Sequence, residues 1–347
     1  MARRPNDSTR KGKRAHEPLR LLADIGGTNA RFAVQRTGKP ARKLRRYRCA
    51  DFPDIGTAIR TYYRDTGITA DPPRVAAMAI AAPVTGDRIR MTNHPWKFSI
   101  RAIRRALDFD TLIMVNDFLA IAESIPFLKT RDRRKIGGNP NAHRAPMGVI
   151  GPGTGLGIGA LIPDDDGPDD AHRWHAIATE GGHATAAATT EREFAVIRRI
   201  QRHYTHVSDE RCLSGQGLVN LHRALAEIEG VAVPDLEPPA ITRRAKRGDP
   251  LAREAVAMFC AMLGSTAGDL ALTFGALGGI YIAGGIVPKL GPLFDTSVFC
   301  RHFVAKGRYR DYLSPIPIYV IKHPLPALIG LAALLDRRAR TARPTAT

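Results

Sequence analysis

Residues 21–34 read LLADIGGTNARFAV: an apolar run enters a Gly-Gly pair and a second apolar run leaves it. The pattern predicts two strands joined through a tight turn. Four polar residues crowd the bend: Asp24, Thr28, Asn29 and Arg31. Gly26 and Gly27 open backbone conformations closed to other residues and let a bulky ligand approach the main chain. Exposed N–H groups, with the Thr28 hydroxyl and the Asn29 amide, suit phosphate oxygens. Asp24 suits a water-coordinated Mg²⁺, a cation that favours carboxylate oxygens and keeps several waters. Taken alone, the stretch also reads as a plain hairpin with Thr and Asn as turn residues.

Working outward, strands and helices alternate. KLRRYRC (43–49) extends the hairpin to a three-strand meander. Ile55, Ile59 and Tyr62 recur at helical intervals in a segment that stops at Gly67. VAAMAIAAPV (75–84) is a buried strand ended by Pro83, and SIRAIRRAL (99–107) a short helix opened by Ser99. TLIMVND (111–117) is the next buried strand, with the helix FLAIAESI behind it and a basic loop at 129–146. PMGVIGPGTGLGIGALI (146–162) then repeats the opening device of strand, glycines with Thr, strand, which suggests a duplicated architecture. An acidic loop, DDDGPDD, follows, and from about residue 190 helical periodicity dominates. The longest helix spans 250–274, with a break expected near Gly264. IYIAGGIV (280–287) is a strand running into glycines, IPIYVIKHP a late strand, and PALIGLAALL a closing helix.

The GPGTGLG loop (151–157) is neither a Walker A nor a Rossmann fingerprint, since no Lys-Ser/Thr follows and no helix opens after it. Two Gly-Thr hairpins together fit a two-jawed clamp on a polyphosphate, with Gly153, Thr154 and Gly155 in the second jaw. Gly284 and Gly285 allow a flat nucleotide base to lie against main chain, or simply turn a strand into a helix. Asn116 and Asp117 end a buried strand, where α/β proteins place ligands. An Asp there can take the proton of a hydroxyl that attacks a phosphoryl group, and either residue can cap the next helix. Glu180 and His183 flank two glycines and suit bonding to sugar hydroxyls, and Glu210 is a further hydroxyl acceptor or a surface charge.

Composition sets the outer bounds. The 347-residue chain is 44% hydrophobic and 24% charged, ordinary for a soluble protein with two cores. No run of about 18 apolar residues is free of charge, so no membrane span is expected, and the N-terminus lacks a signal-peptide core. The net charge of +19 sits partly in a basic tail at 1–19, read as disordered, and partly in the patches RKLRRYR, KTRDRRK and RRAKR. The patches are dispersed and aromatic content is 6%, which argues against a nucleic-acid partner. Cys49, Cys212, Cys260 and Cys300 are far apart with no CxxC pair, which points to free thiols in the cytoplasm.

LLADIGGTNARFAV, PVTGDRIRMTNHPWKFS, VNDF, GPGTGLG, ATEGGH, ERCLSGQGLVNL and IAGGIV, in this order from about residue 20 to 335, resemble the bacterial glucokinase family of the sugar kinase/actin/heat-shock ATPase superfamily. The resemblance implies a two-domain α/β fold, actin-like (ribonuclease H-like), with a cleft that closes on glucose. It implies a small domain of residues 20–118 plus 325–340, a large domain of 119–324 and a short tail at 341–347. It further implies Mg²⁺-assisted transfer from ATP to D-glucose, with Asp117 as general base. By the same resemblance Asn116, Asp117, Glu180, His183 and Glu210 contact sugar, and Asp24 lies near Mg²⁺. Gly26, Gly27, Thr28, Asn29, Gly153, Thr154 and Gly155 cradle phosphates, and Gly284 and Gly285 flank the adenosine. A homodimer is the expected assembly; Asn93 and His94 have no assigned role. Related repressor kinases carry a Cys-rich zinc motif after the Glu-Gly-Gly-His element; here that place reads ATAAATTEREF, so no structural zinc is expected. No helix-turn-helix is expected before Leu21. Two rival readings remain at this level: polyphosphate in place of ATP, suggested by the net charge, and a non-catalytic sugar-sensing regulator.

Overall fold

The computed structural model describes residues 18–92, 94–140, 144–164 and 173–341. The basic tail apart from residues 18–19, Asn93, most of the acidic loop and all but the first residue of the C-terminal tail lie outside the described residues.

Strands β1 (Arg20–Ile25), β2 (Asn29–Gln35) and β3 (Arg42–Arg48) form the expected antiparallel meander. Helix α1 (Ile55–Thr66) starts at Asp54, whose carboxylate accepts the Thr57 N–H, and stops at Gly67 with φ 67°. That left-handed position favours glycine. Ile55, Ile59 and Tyr62 pack on Phe32 and Met78, the apolar stripe that the spacing marks. Strand β4 (Val75–Ile80) pairs parallel with β1. A small hairpin of β5 (Arg88–Arg90) and β6 (Lys97–Ser99) leads to α2 (Ile100–Ala106), capped by Ser99 as expected. Strand β7 (Thr111–Asn116) pairs parallel with β4 and completes a sheet of order β3-β2-β1-β4-β7.

Helix α3 (Asp117–Ser124) follows without a linker, and β8 (Arg133–Gly137) comes next. The second sheet opens with β9 (Met147–Pro152), β10 (Leu156–Pro163) and β11 (Trp174–Ala178), again an antiparallel meander. Helices α4 (Glu191–Ile200), α5 (Asp209–Cys212), α6 (Gly215–Glu229), α7 (Pro238–Lys246) and α8 (Pro250–Phe274) intervene. Strand β12 (Gly279–Ile282) pairs parallel with β9. After α9 (Ile286–Leu290), α10 (Thr296–Phe303) and α11 (Arg310–Leu313), β13 (Ile318–Ile321) pairs parallel with β12. The order is β11-β10-β9-β12-β13-β8. Without the edge strand β8 the two sheets have one topology: a meander whose first strand is continued by two parallel neighbours. The repeat read from two glycine turns therefore extends to whole sheets.

Helix α12 (Pro326–Thr341) returns to the first sheet. Leu328, Leu331 and Leu335 pack on Leu22, Ala33, Ala77 and Ala79. It crosses α3 where a Cβ on Gly330 would overlap the Ala120 carbonyl, so the helices approach more closely than side chains permit. Arg337 of α12 is paired with the buried carboxylate of Glu123 in α3, and Asp336 with Arg20 of β1. Helix α3 also touches β9, β10 and β11, so the boundary expected between residues 118 and 119 runs through a helix packed on both sheets.

Two expectations need correction. Helix α8 runs unbroken for 25 residues. Gly264 is small because the Phe299 backbone of α10 lies where its Cβ would be. The basic loop at 129–146 contains β8, paired antiparallel to β13. The RRAKR patch (243–247) is mostly the last turn of α7, where cations face the negative end of the helix dipole. Helix α8 is long and apolar enough to cross a membrane, yet most of it is buried against the rest of the protein. The four cysteines are free, three of them buried.

Candidate active site

The first glycine turn is built tightly. Gly26 N–H donates to the Asn29 carbonyl at 2.9 Å, so it is used inside the turn. Cys49 braces the turn from behind: its N–H donates to the Thr28 carbonyl at 2.9 Å and its thiol to the Gly26 carbonyl at 3.3 Å. Asn29 Oδ1 accepts from Arg46 Nε at 2.9 Å. Arginine only donates, which fixes the amide and turns its NH₂ away from Arg46 as a donor. Asp24, near the end of β1, accepts from Arg31 Nη1 at 2.7 Å across the strand pair. Burial pushes the Asp24 carboxyl up and Arg31 pulls it down.

The second turn is just as closely packed. Gly153 N–H donates to Gly155 O at 2.8 Å, and Gly153 O accepts from Gly215 N–H at the start of α6 at 2.9 Å. The space beside Gly155 holds the Glu210 carboxylate, whose Oε2 accepts the Leu156 N–H at 2.9 Å. Gly182 of the Glu-Gly-Gly-His turn is pressed against the Leu156 carbonyl. Leu156 thus joins the hairpin, Glu180–His183 and Glu210 into one unit. Thr154 is exposed at the tip. Gly284, at φ 81°, fits against the Pro152 carbonyl, and Ala283 N–H donates to Ile150 O at 2.8 Å. Gly284 and Gly285 are exposed, with Lys289 beside Gly285.

Asn116 and Asp117 divide the work that the sequence left shared between them. Asn116 caps α3, its Oδ1 accepting from Phe118 N–H at 2.8 Å and Leu119 N–H at 3.3 Å. Asp117 occupies the first turn of α3, the helix that packs on both sheets. Burial pushes its carboxyl up to about 7, and repulsion from Asp24 and, more weakly, Glu180 adds to this against a lowering bond from Phe118 N–H. The charge of Asp24 is therefore near enough to act on Asp117. His183 Nε2 lies 4.0 Å from Glu180 Oε2, both side chains being half exposed.

Phe118 is the residue that the sequence reading passed over. Its ring fills the places where side chains on Gly151 and Gly157 would be. Two of the four hairpin glycines are therefore small to seat the neighbour of Asp117. The only signal in the sequence is the aromatic residue closing VNDF.

Among the described residues no group of three or more His, Cys, Asp or Glu side chains is spaced to hold a metal. The chain offers one or two carboxylates, Asp24 and Asp117, and among the described residues Arg31 is the only countercharge bonded to them. This donor set fits Mg²⁺, which needs one or two protein carboxylates when phosphates and water complete its shell.

Two sheets of one topology, each presenting a glycine turn, with a carboxylate at their junction, define a two-domain actin-like ATPase fold. The sequence profile described as Glucokinase matches residues 21–338, and the chain belongs to the glucokinase family. It is 47% identical over 327 residues to the bifunctional protein glk of Paraburkholderia xenovorans, covering 93% of this chain and 50% of that protein. The chain spans about half the length of this and similar bifunctional relatives. It is 46% identical to the glucokinase of Paramagnetospirillum magneticum, over 91% of this chain and 97% of that one. The crystal structure of a glucokinase from an Antarctic psychrotroph superposes with TM-score 0.79 at 32% identity, covering 92% of this chain and 99% of that one.

Proposed function

We propose that the protein transfers the terminal phosphoryl group of ATP to the 6-hydroxyl of D-glucose. The observation that carries this is Asp117 itself: a carboxyl held up to about 7 at the start of α3, the helix packed on both sheets, with the Asp24 charge near enough to act on it. Asp117 takes the hydroxyl proton as the sugar oxygen forms its bond to phosphorus and the bridge to ADP breaks. A carboxyl held up to about 7 suits this at neutral pH, because a base works best when its pKa lies near the working pH. Glu180 and His183 orient sugar hydroxyls from the large domain, and Asn116 fixes the backbone that carries Asp117. The outer donors of the two turns, Gly27, Thr28, Asn29, Thr154 and Gly155, hold phosphate oxygens, while Gly26 and Gly153 contribute room. Gly284 and Gly285 lie under the adenosine. Asp24 would hold Mg²⁺ through water, and the ion would neutralise phosphate charge. Positioning and charge neutralisation are what phosphoryl transfer needs from a protein. Closing of the cleft keeps water from competing as acceptor.

A coupled assay of several hexoses with ATP, with and without Mg²⁺, tests this. Product from glucose that requires both ATP and the cation is expected; sugar binding without turnover would leave a sensor in place of an enzyme. Glu180→Gln is expected to raise the KM for glucose about tenfold or more, as one charge-assisted hydrogen bond is lost, and to leave the KM for ATP within about twofold. An unchanged glucose KM would remove Glu180 from the sugar site. Glu210→Gln gives a different pattern. Its carboxylate supports the hairpin through Leu156 N–H, so the KM values for ATP and glucose are both expected to rise, by about threefold or more. A change confined to glucose would disconnect Glu210 from the phosphate turn.

A further inference from the structure

The basic patch RKLRRYR (42–48) is not used by the mechanism above, yet β3 places part of it beside the first glycine turn. In register, Asp24 faces Arg31 and Arg31 faces Arg46. Cross-strand partners leave the same face of a sheet, so these three side chains form one row. Asn29 faces Arg48 two positions along, and period-two alternation puts that pair on the same face. Leu22 and Ala33, which alternate with Asp24 and Arg31, are covered by α12, whereas Arg46 and Arg48 are exposed beyond it. Arg31 gives Nη1 to Asp24 and Arg46 gives Nε to Asn29, which leaves the other nitrogens of each guanidinium without a bond among the described residues. Among the described residues Arg48 has no recorded hydrogen-bond or ion-pair partner. Lys43 is bonded to the Thr66 carbonyl and Arg45 to that of Leu44, while Arg42, at the end of the strand away from the glycine turn, has no side-chain partner among the described residues. Charges that merely guard an edge strand against pairing need not share a face or end on a phosphate turn.

We propose that Arg31, Arg46 and Arg48 form a track for a linear phosphate chain longer than a triphosphate, which serves as a second phosphoryl donor. The proposal rests on the kinase reading above and extends its donor class. Strands lie about 4.8 Å apart, so the row reaches about 10 Å outward from Asp24, enough to hold several phosphates in sequence. The terminal phosphate sits by Asp117 and the remaining units run over the arginines, whose planar forks match phosphate oxygens. The sugar oxygen bonds to the terminal phosphorus and the bridging P–O bond breaks. The chain leaves one unit shorter with the bridging oxygen, and the hydroxyl proton goes to Asp117.

The test compares ATP and inorganic polyphosphate of several tens of units as donors to glucose, on the full chain and on Arg48→Gln and Arg48→Glu. Polyphosphate is expected to yield glucose 6-phosphate, and tripolyphosphate to be a much poorer donor than the long chain. Arg48→Gln is expected to lower kcat/KM for polyphosphate about tenfold and Arg48→Glu more, with ATP-dependent kcat/KM within about twofold for both. Turnover with ATP and none with polyphosphate would overturn the track and leave the ATP reading intact. Equal losses with both donors would also overturn it, by showing that Arg48 only supports the glycine turn. Turnover with neither donor would overturn the kinase reading itself.

Discussion

Asp117→Asn is expected to lower kcat by between about 100- and 10,000-fold, the range for loss of a general base, while the KM for glucose changes only a few-fold. A kcat within tenfold of the parent would remove Asp117 from proton transfer. The same variant carries a second signature, in stability. The Asp117 carboxyl is held up to about 7 against an ordinary value of 3.8. Between these values the native protein binds a proton that the unfolded chain has released, so this group makes stability fall as pH rises from about 4 to about 7. Above about 7 the native carboxylate is charged and the full cost is present, on the order of a few kcal/mol. Asn carries no such charge. Thermal denaturation of the ligand-free protein is therefore expected to show Asp117→Asn gaining several degrees of Tm over the parent at pH 8, and clearly less at pH 5. A Tm difference independent of pH would mean that the carboxyl titrates normally.

Gly157→Ala is expected to be nearly as damaging to activity as loss of the base, although Gly157 contacts no substrate in the proposed mechanism. Its Cβ would enter the Phe118 ring, and Phe118 is covalently next to Asp117. Overpacking of this kind costs about 1–3 kcal/mol or more and is relieved by displacing the neighbour. Displacement of α3 by even about 1 Å carries Asp117 out of line with the acceptor hydroxyl, a misplacement worth about 100-fold in rate. The loss is expected in kcat more than in either KM. The double variant Gly157→Ala/Phe118→Leu is expected to recover at least tenfold over Gly157→Ala alone, a coupling measured by a double-mutant cycle. Additive effects would show that the ring and the glycine act separately.

What the sequence made legible was mostly local. Gly67 ends α1 and Ser99 opens α2, because capping depends only on the residue and its near neighbours. The first meander, and the first two strands of the second, were readable from apolar runs around glycine turns; β11 was not. Strand β8 was not, because RRKIG is a charged edge with no alternation to reveal it. Helix α7 begins with Pro238 and Pro239, which read as a loop unless taken as the first turn of a helix. Gly264 read as a helix breaker because its reason, the Phe299 backbone, lies on another helix. The same distance in sequence hid the supporting half of the site. Glu180 and Asp117 were singled out by residue type, but nothing local says that Glu210 holds Leu156 or that Phe118 claims the space of two glycines. Side-chain chemistry was readable; the partners that keep it in place were not.

The return of α12 to the first sheet sets an order for biogenesis. Leu22, Ala33, Ala77 and Ala79 are made about 250 to 310 residues before their cover, Leu328 to Leu335. At roughly 5–20 residues per second, the interval between completing β7 and supplying Leu335 is roughly 10–45 s. During that time the nascent sheet has one oily side uncovered while the ribosome is still decoding the other domain. A stalled or truncated message lacking α12 would release a sheet with that side bare, prone to sticking to itself or to chaperones.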